Sequence, residues 1–304
     1  CIATRQPIST GRTFTWTPLW KTAVSWRPNS LRDLQRPGLN KAPRLAVVVA
    51  PGGSDQEASA LARRLGLPQL PEEPESESSE CQDYDAFVLT GGNGLSVQRL
   101  GAGSPGPVSV DFGSAGMRHR RGSGHNELLG RAVGVGKVSV LRVLDATAGL
   151  GRDSFVLADL GCDVLMCERE PLMAVLLESG LDRGRASGDP WLEGVLARMR
   201  LWQGDAISLP VEDLGAVDVI YLDPMFPARS KRAAAKKEMA LFQLLLAGKA
   251  DGADELLAWS LEQDVARVVV KRPSKADYLA HRKPSHVIAG RAVRYDVYVR
   301  RALG

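Results

Sequence analysis

VSVLRVLDATAGLG, residues 138–151, joins an apolar, β-branched run to a turn that contains two glycines. The run is typical of a strand buried on both faces of a parallel sheet. Gly149 and Gly151 permit positive φ angles and let a ligand approach the backbone closely. A helix that starts after the turn would present unpaired N–H groups there. We therefore predict a site for a nucleotide-like ligand; a purely structural tight turn is the alternative.

A second segment, DPMFP at residues 223–227, follows the apolar run 217–222. Its form, Asp-Pro-x-aromatic, suits a site that holds a planar base by its exocyclic amine. Such an amine is a poor nucleophile because its lone pair is delocalised into the ring. The Asp223 carboxylate and the Pro224 carbonyl could accept its hydrogen bonds, and Phe226 could stack on an unstacked base. The alternative is a turn that ends a strand, with a phenylalanine in the core.

Acidic residues end two further predicted strands. Glu168 lies about 17 residues after Gly151, where a carboxylate can accept both hydroxyls of a ribose in NAD or in S-adenosylmethionine. The methyl donor is favoured because a third glycine at the GxGxxG spacing is missing and Asp145 ends the first strand beside the ligand. Asp205, after the third strand, could meet an adenine amine, or it could simply cap a helix.

Together the two segments predict methyl transfer from S-adenosylmethionine to an amino group of a nucleobase. The amine site by itself does not distinguish guanine from adenine or cytosine, nor RNA from DNA. A dinucleotide-dependent oxidoreductase is disfavoured by the missing glycine and by the lack of an obvious proton donor for a carbonyl. A non-catalytic RNA-binding module is disfavoured because Asp223, Pro224 and Phe226 are all present.

Composition and charge set the class of protein. With 304 residues, 44% hydrophobic and 24% charged, the chain is typical of a soluble globular protein. Its apolar runs are too short for a bilayer span and no secretory leader is recognisable, so we expect a cytoplasmic protein. The four cysteines lack metal-ligand spacing, so we expect reduced thiols and no metal site.

The basic charge of the chain is concentrated at one end. Residues 1–43 carry a net charge of +6, and the remainder carries −2. Residues 1–43 also lack periodicity, and we predict that they are disordered. Three interpretations remain open for them: a transit-type leader, a segment foreign to the native protein, which we favour, or a basic arm that touches nucleic acid.

The alternation of patterns predicts an α/β protein with two parts. Residues 44–116 should form a small α/β subdomain, with strands at 45–50, 86–90, 95–100 and 108–112 and a helix at about 55–65. Residues 117–304 should begin with a basic linker at 117–122 and form a mostly parallel sheet, closed by an antiparallel hairpin. Its strands are predicted at 138–144, 163–167, 199–203, 217–222, 266–271, 286–289 and 294–299.

Three basic clusters lie in this second part. Five cations in about nine residues follow the Asp-Pro segment, and other clusters precede the core and end the fifth strand. These clusters are candidates for contacts with RNA phosphates, although solvated helix faces produce similar runs. The candidate RNA-binding residues are Arg118, Arg120, Arg121, Arg229, Lys231, Arg232, Lys236, Lys237, Lys271 and Arg272.

Several motifs together resemble the bacterial ribosomal small-subunit methyltransferase J family. They are DATAGLGRD at 145–153, YLDPMFP at 221–227, KKEM at 236–239 and VVVKRP at 268–273, with VDF at 110–112 and HRR at 119–121. The resemblance runs from about Arg44 to the C-terminus. It implies a class I (Rossmann-like) methyltransferase sheet that uses S-adenosylmethionine to methylate guanine N2 in 16S rRNA, with 16S rRNA or the small ribosomal subunit as partner.

The resemblance also implies which residues line the cofactor pocket. By likeness they are Arg152, Asp153, Glu168, Arg169, Asp205, Ala206 and Asp223. The chain departs from the family pattern after the third strand, where Asp205-Ala206 stands in place of small hydroxyl residues. Side-chain contacts to adenine at that position therefore stay open. The acidic insert at about 72–80 and residues 1–43 have no recognised counterpart, and neither touches the predicted chemistry.

Overall fold

The N-terminal part of the computed structural model is a four-stranded sheet with one helix. The structure describes residues 42–71, 83–101, 103–120, 124–210, 212, 217–224, 233–246 and 252–304. The elements are β1 (Leu45–Val49), α1 (Asp55–Leu65), β2 (Gln69–Leu70), β3 (Ala86–Gly91) and β4 (Gly94–Arg99). In the order β2-β1-β3-β4, β1 is parallel to both neighbours and β3 and β4 form an antiparallel hairpin. Residues 1–41, most of the segment that we predicted to be disordered, and the acidic insert at 72–80 lie outside the described residues.

Local chemistry sets the limits of the first helix. The Ser54 hydroxyl accepts a hydrogen bond from the Glu57 N–H at 3.2 Å, which satisfies one of the free donors at the start of α1. Gly66 ends the helix in a left-handed conformation with φ 66°. The predicted boundaries of this helix are confirmed.

Two expectations for the following segment are wrong. Residues 108–112 form no strand; Val108 makes only an isolated bridge to Val97. The segment predicted as a basic linker at 117–122 overlaps the helix α2 (Ala115–Arg120), in whose first turn the Arg118 N–H donates to the Ser114 carbonyl at 3.1 Å. A second helix, α3 (Gly124–Val133), follows.

A seven-stranded sheet carries the rest of the chain. Its strands are β5 (Arg142–Asp145), β6 (Asp163–Glu168), β7 (Met199–Gln203), β8 (Val219–Leu222), β9 (Arg267–Pro273), β10 (His286–Ala289) and β11 (Val293–Val299). Its helices are α4 (Arg152–Asp159), α5 (Pro171–Arg185), α6 (Pro190–Leu196), α7 (Ala233–Leu245) and α8 (Ala253–Glu262). The order is β10-β11-β9-β8-β5-β6-β7; β5 to β9 are parallel, and β11 is antiparallel to β9 and β10.

The central strand β5 is shorter than its apolar run. Pairing with β6 and β8 begins only at residues 142 and 143, where both neighbours start, and Val140 is 48% exposed. The Asp218 carboxylate accepts a hydrogen bond from the Arg142 N–H at 2.9 Å at this point. Hydrophobic sequence alone predicted a strand over 138–144, but a strand needs partners along its whole length.

The two sheets share one hydrophobic core through α5. Gly180 of α5 lies so close to Val110 that a Cβ there would be 2.4 Å from the valine Cγ1. Ser179 Oγ accepts a hydrogen bond from the Leu95 N–H at 3.0 Å, and Arg183 donates to the Val110 carbonyl at 2.6 Å. Asn40–Gly304 form one compact unit, and the predicted division at residue 116 separates two sheets within it. Within the described part of the chain, we find no helix long and apolar enough to cross a membrane.

Candidate active site

The turn after β5 has the backbone conformation that its glycines allow. Gly149 has φ 55° and Gly151 has φ 71°, both in the left-handed region. A Cβ on Gly151 would lie 2.7 Å from Leu177 Cδ1 and 3.1 Å from the Phe112 ring, so α4 packs closely against the core there. Gly151 precedes the first residue of α4 and makes no side-chain cap. The turn therefore presents backbone to the edge of the sheet where a ligand would bind.

Glu168, at the end of β6, is fastened to this turn. Its Oε2 accepts a hydrogen bond from the Gly149 N–H at 2.7 Å, and its Oε1 accepts one from the Glu170 N–H at 2.8 Å. Burial raises the pKa of this carboxyl, and the two N–H groups oppose that rise. A carboxylate has about four acceptor positions, so these two bonds are compatible with acceptance of a ribose diol.

Asp145, at the end of β5, holds the same turn from within. It is buried and accepts hydrogen bonds from the Ser154 hydroxyl and from the Thr147 N–H, the latter at 3.1 Å. Burial raises its pKa to about 7, against the lowering effect of these two bonds. The Asp145 carboxylate therefore forms hydrogen bonds inside the protein, in addition to facing the ligand position that we expected from the sequence.

At the end of β7, Asp205 has the second of its two predicted roles, that of a helix cap. Asp205 caps a short 3₁₀ helix (Ala206–Ser208), and its Oδ1 accepts a hydrogen bond from the Ile207 N–H at 3.1 Å. Its other oxygen lies 3.7 Å from Arg169 Nη1. The Ala206 side chain is buried in the core between the sheet and α8. A cofactor contact by Asp205 or Ala206 stays a prediction.

Asp223, at the end of β8, is part of an ion-pair group that sequence reasoning missed. Lys271 Nζ lies 2.7 Å from Asp223 Oδ2 and 2.6 Å from Asp153 Oδ2. The Tyr221 hydroxyl donates to the same Asp153 oxygen at 2.7 Å, and the Asp223 N–H donates to Thr147 Oγ1 at 2.7 Å. This group joins the first turn of α4 to the ends of two strands.

The register of the sheet explains why these residues meet. Leu222 of β8 pairs with Val270 of β9, so Asp223 and Lys271 are the next residues on two parallel neighbours. Burial alone would lower the lysine pKa, but Asp153 and Asp223 outweigh it and raise the pKa above its usual value. In the sequence, Lys271 is only a lysine that follows an apolar run. Its contact with Asp223 can be inferred only once β8 and β9 are known to be neighbouring strands.

Lys271 and Arg272 were expected to face RNA, and the surface position implied by that expectation is wrong. The Lys271 side chain is 21% exposed and lies between two carboxylates. Arg272 is buried, and its guanidinium donates to the Asp277 carbonyl from Nε at 3.1 Å and from Nη2 at 2.7 Å. Charge clustering in the sequence does not reveal such internal partners.

The structure describes the other predicted RNA-binding residues to different extents. Arg118 is exposed, pairs with Asp189 at 2.6 Å and lies over the Trp191 ring at 5.2 Å. The Arg118 guanidinium lowers the pKa of Asp189. For Arg120, Lys236 and Lys237 only the helical backbone is described, and Arg121, Phe226, Arg229, Lys231 and Arg232 lie outside the described residues.

Helix α7 flanks the glycine turn, a feature that the sequence did not indicate. Glu238 is buried and forms an ion pair with Arg152, the first residue of α4. A Cβ on Gly149 would lie 3.4 Å from the Phe242 ring, so one face of α7 lies beside the turn. Glu238 and Phe242 are four residues apart and therefore share that face.

These features define a class of protein. A mostly parallel sheet of seven strands with an antiparallel β11, a glycine turn after β5 and acidic residues at the ends of β5, β6, β7 and β8 form the Rossmann-like methyltransferase fold. Comparison with known proteins gives the same class. The family model described as a putative SAM-dependent methyltransferase matches residues 75–300.

Curated relatives and a solved structure extend this match over most of the chain. Ribosomal RNA small subunit methyltransferase J from Pseudomonas aeruginosa LESB58 is 47% identical over 266 residues, covering 86% of this chain and 97% of the relative. The protein of that name from Pseudomonas fluorescens SBW25 is 44% identical over 265 residues, again with 86% and 97% covered. The crystal structure of a SAM-dependent methyltransferase from Neisseria gonorrhoeae is 32% identical, with a TM-score of 0.63 over 84% of this chain and 95% of the other. The chain belongs to the SAM-dependent methyltransferase family that contains ribosomal RNA small subunit methyltransferase J.

Proposed function

We propose that this chain methylates the exocyclic N2 amine of a guanosine in 16S rRNA, with S-adenosylmethionine as the donor. The observation that carries the proposal is the placement of Asp223 and Pro224 at the end of β8, beside the glycine turn of β5. Relatives named for action on small-subunit ribosomal RNA supply the class of substrate. A ribosomal substrate would place the protein in the cytoplasm.

The residues around the turn fit the cofactor. Gly149 and Gly151 present backbone, and Glu168 is held by two N–H groups with acceptor positions remaining for a diol. Asp205 and Arg169 lie at the next strand end and could meet the adenine side. When bound, S-adenosylmethionine supplies the methyl group of its positively charged sulfur, and the sulfur becomes a neutral thioether as the carbon–sulfur bond breaks and the carbon–nitrogen bond forms.

The chain's own part in the reaction is to orient and activate the amine. The Asp223 carboxylate and the Pro224 carbonyl accept hydrogen bonds from the NH₂ group, which returns electron density to the nitrogen. The same two acceptors stabilise the positive charge that develops on that nitrogen. The methylated nitrogen then releases one proton, for which Asp223 is the neighbouring acceptor. Holding the amine in line with the methyl group supplies much of the rate, and Phe226 would hold the base by stacking.

The proposal is tested by transfer of a labelled methyl group to purified 30S subunits and to deproteinised 16S rRNA, followed by nucleoside analysis. We expect labelled N2-methylguanosine, and the better substrate shows at which stage of assembly the enzyme acts. A labelled adenosine or cytidine would replace guanine as the target. No transfer to either RNA, with measurable cofactor binding, would overturn the ribosomal substrate.

Contact with the RNA backbone is assigned to the basic run that follows the Asp-Pro segment, with Lys236 and Lys237 in α7. Reversal of both charges by Lys236→Glu and Lys237→Glu should weaken RNA binding and flatten its dependence on salt. Binding measured between about 50 and 200 mM salt gives the slope. An unchanged slope would indicate that this basic run is an ordinary solvated helix face.

A further inference from the structure

Lys271 lies between two carboxylates near the ends of β8 and β9. Its Nζ lies within 2.7 Å of one oxygen of Asp223 and one oxygen of Asp153. Two such short bonds to charged acceptors restrict the ammonium far more than a single exposed ion pair would. The side chain is 21% exposed, so little of it is available to an external phosphate.

The two carboxylates belong to different parts of the predicted site. Asp153 is in the first turn of α4, directly after the glycine turn, and Asp223 is at the proposed amine site. The Tyr221 hydroxyl gives Asp153 a second donor on the same oxygen at 2.7 Å. Lys271 therefore joins an anchored carboxylate to the one that we assign to the chemistry.

We propose that Lys271 is a positioning residue, which sets the orientation of the Asp223 carboxylate towards the amine by holding its Oδ2 against the anchored Asp153. This inference rests on the proposed function of Asp223. The carboxylate group of Asp223 is planar. Because Lys271 holds its Oδ2 and Thr147 accepts a hydrogen bond from the Asp223 N–H, the position of the other carboxylate oxygen is fixed as well.

Removal of the ammonium would leave two carboxylates close together without the cation that bonds to both of them. Like charges in a partly buried site repel, so the Asp223 side chain would rotate away from its position. Asp153 and Asp223 raise the pKa of Lys271 above its usual value, so this ammonium is charged at neutral pH. A displacement of about 1 Å at a reacting group can lower a rate by about 100-fold.

The test compares Lys271→Met with Lys283→Met, a matched change at an exposed lysine in the segment before β10. We expect Lys271→Met to lower kcat for methyl transfer by about 10- to 100-fold. The cofactor Kd, the RNA KM and the salt slope of RNA binding should all stay close to those of the wild type. Lys283→Met should leave kcat unchanged. A phosphate contact by Lys271 would give the opposite result, with kcat intact, weaker RNA binding and a salt slope lower by about 1.

Two further variants guard against a loss of folding. Lys271→Arg keeps a cation that can reach both carboxylates and should recover much of kcat. Lys271→Met combined with Asp153→Asn keeps the net charge of the group at −1, so it should fold, but Asp223 Oδ2 then lacks its bond to Lys271 and kcat should remain low. Wild-type kcat in the folded double variant would overturn the inference, as would a loss in Lys271→Met that is confined to cofactor Kd. Absence of methyl transfer by the wild-type protein would instead overturn the proposed function.

Discussion

The turn after β5 and the ends of β8 and β9 both hold acidic side chains, buried in the turn and partly exposed at the strand ends, and the two regions stabilise them in different ways. In the turn, Asp145 is surrounded by a hydroxyl and an N–H group, and its pKa rises to about 7. At the strand ends, Asp153 and Asp223 share the ammonium of Lys271. A carboxylate held by neutral donors suits a role in shaping a turn, whereas one that is paired with a cation and partly exposed is placed to act on an amine.

The largest effect should come from the strand ends. Asp223→Ala removes the proposed acceptor of the amine and should lower kcat by about 1000-fold, in the range seen when a single donor or acceptor to a transition state is lost. The cofactor Kd should rise only modestly because the glycine turn and Glu168 are untouched. Single-turnover methyl transfer and cofactor titration measure the two effects. Full activity of this variant would remove Asp223 from the chemistry and end the contrast between the two regions.

The turn should respond to pH through Asp145. Its folded pKa is higher than the value of 3.8 expected when unfolded, so the native state binds more protons between about pH 4 and 7. The contribution of this group to stability therefore falls as pH rises through that range and is constant above it.

Asp145→Asn should remove this dependence. The amide can accept from the Thr147 N–H and donate to the Ser154 hydroxyl, so the variant should gain about 2–4 kcal/mol over the wild type at pH 8 and little near pH 4. Denaturant unfolding across this pH range measures the gain. Asp264→Asn, at a side chain that is 99% exposed, is the control and should show no such trend. A gain independent of pH would show that Asp145 is not buried as a charged group.

The packing of the turn is tested by a pair of glycines with the same φ. Gly151 and Gly188 both have φ 71°, but an added Cβ would meet Leu177 and Phe112 at Gly151 and nothing within 4 Å at Gly188. Gly188→Ala should cost about 1 kcal/mol from its left-handed backbone, and Gly151→Ala about 1–3 kcal/mol more. The free energies of unfolding give the difference. Equal costs would show that the turn is less tightly packed than its contacts indicate.

The smallest effect concerns the anchor of the ion-pair group. Tyr221→Phe removes a donor to the charged Asp153 and should cost about 1.5–3 kcal/mol, whereas Tyr298→Phe removes a donor to the neutral Arg282 carbonyl and should cost about 0.5–1.5 kcal/mol. Thermal or denaturant unfolding measures both. If the two costs were equal, the acceptor at Tyr221 would not be behaving as a charged carboxylate.

Much of the architecture was predictable from periodicity. The order of strands and helices after residue 141, the antiparallel hairpin of β10 and β11, and the limits of α1 follow from apolar spacing and capping residues. The prediction was wrong where local pattern competed with pairing, as at residues 108–112 and 138–141. It was also wrong for the surface position of Lys271 and Arg272, because a count of charges contains no information about burial.

The sequence by itself determined the α/β class, the glycine turn and the acidic residues at the strand ends. Each of these depends on neighbours along the chain: apolar spacing for the strands, and the absence of a Cβ at Gly149 and Gly151. Only the tertiary structure decided that Lys271 lies between Asp153 and Asp223, and that α7 lies beside the turn. Those contacts join residues up to 118 positions apart. They arise because parallel neighbours bring the ends of their strands to one edge of the sheet.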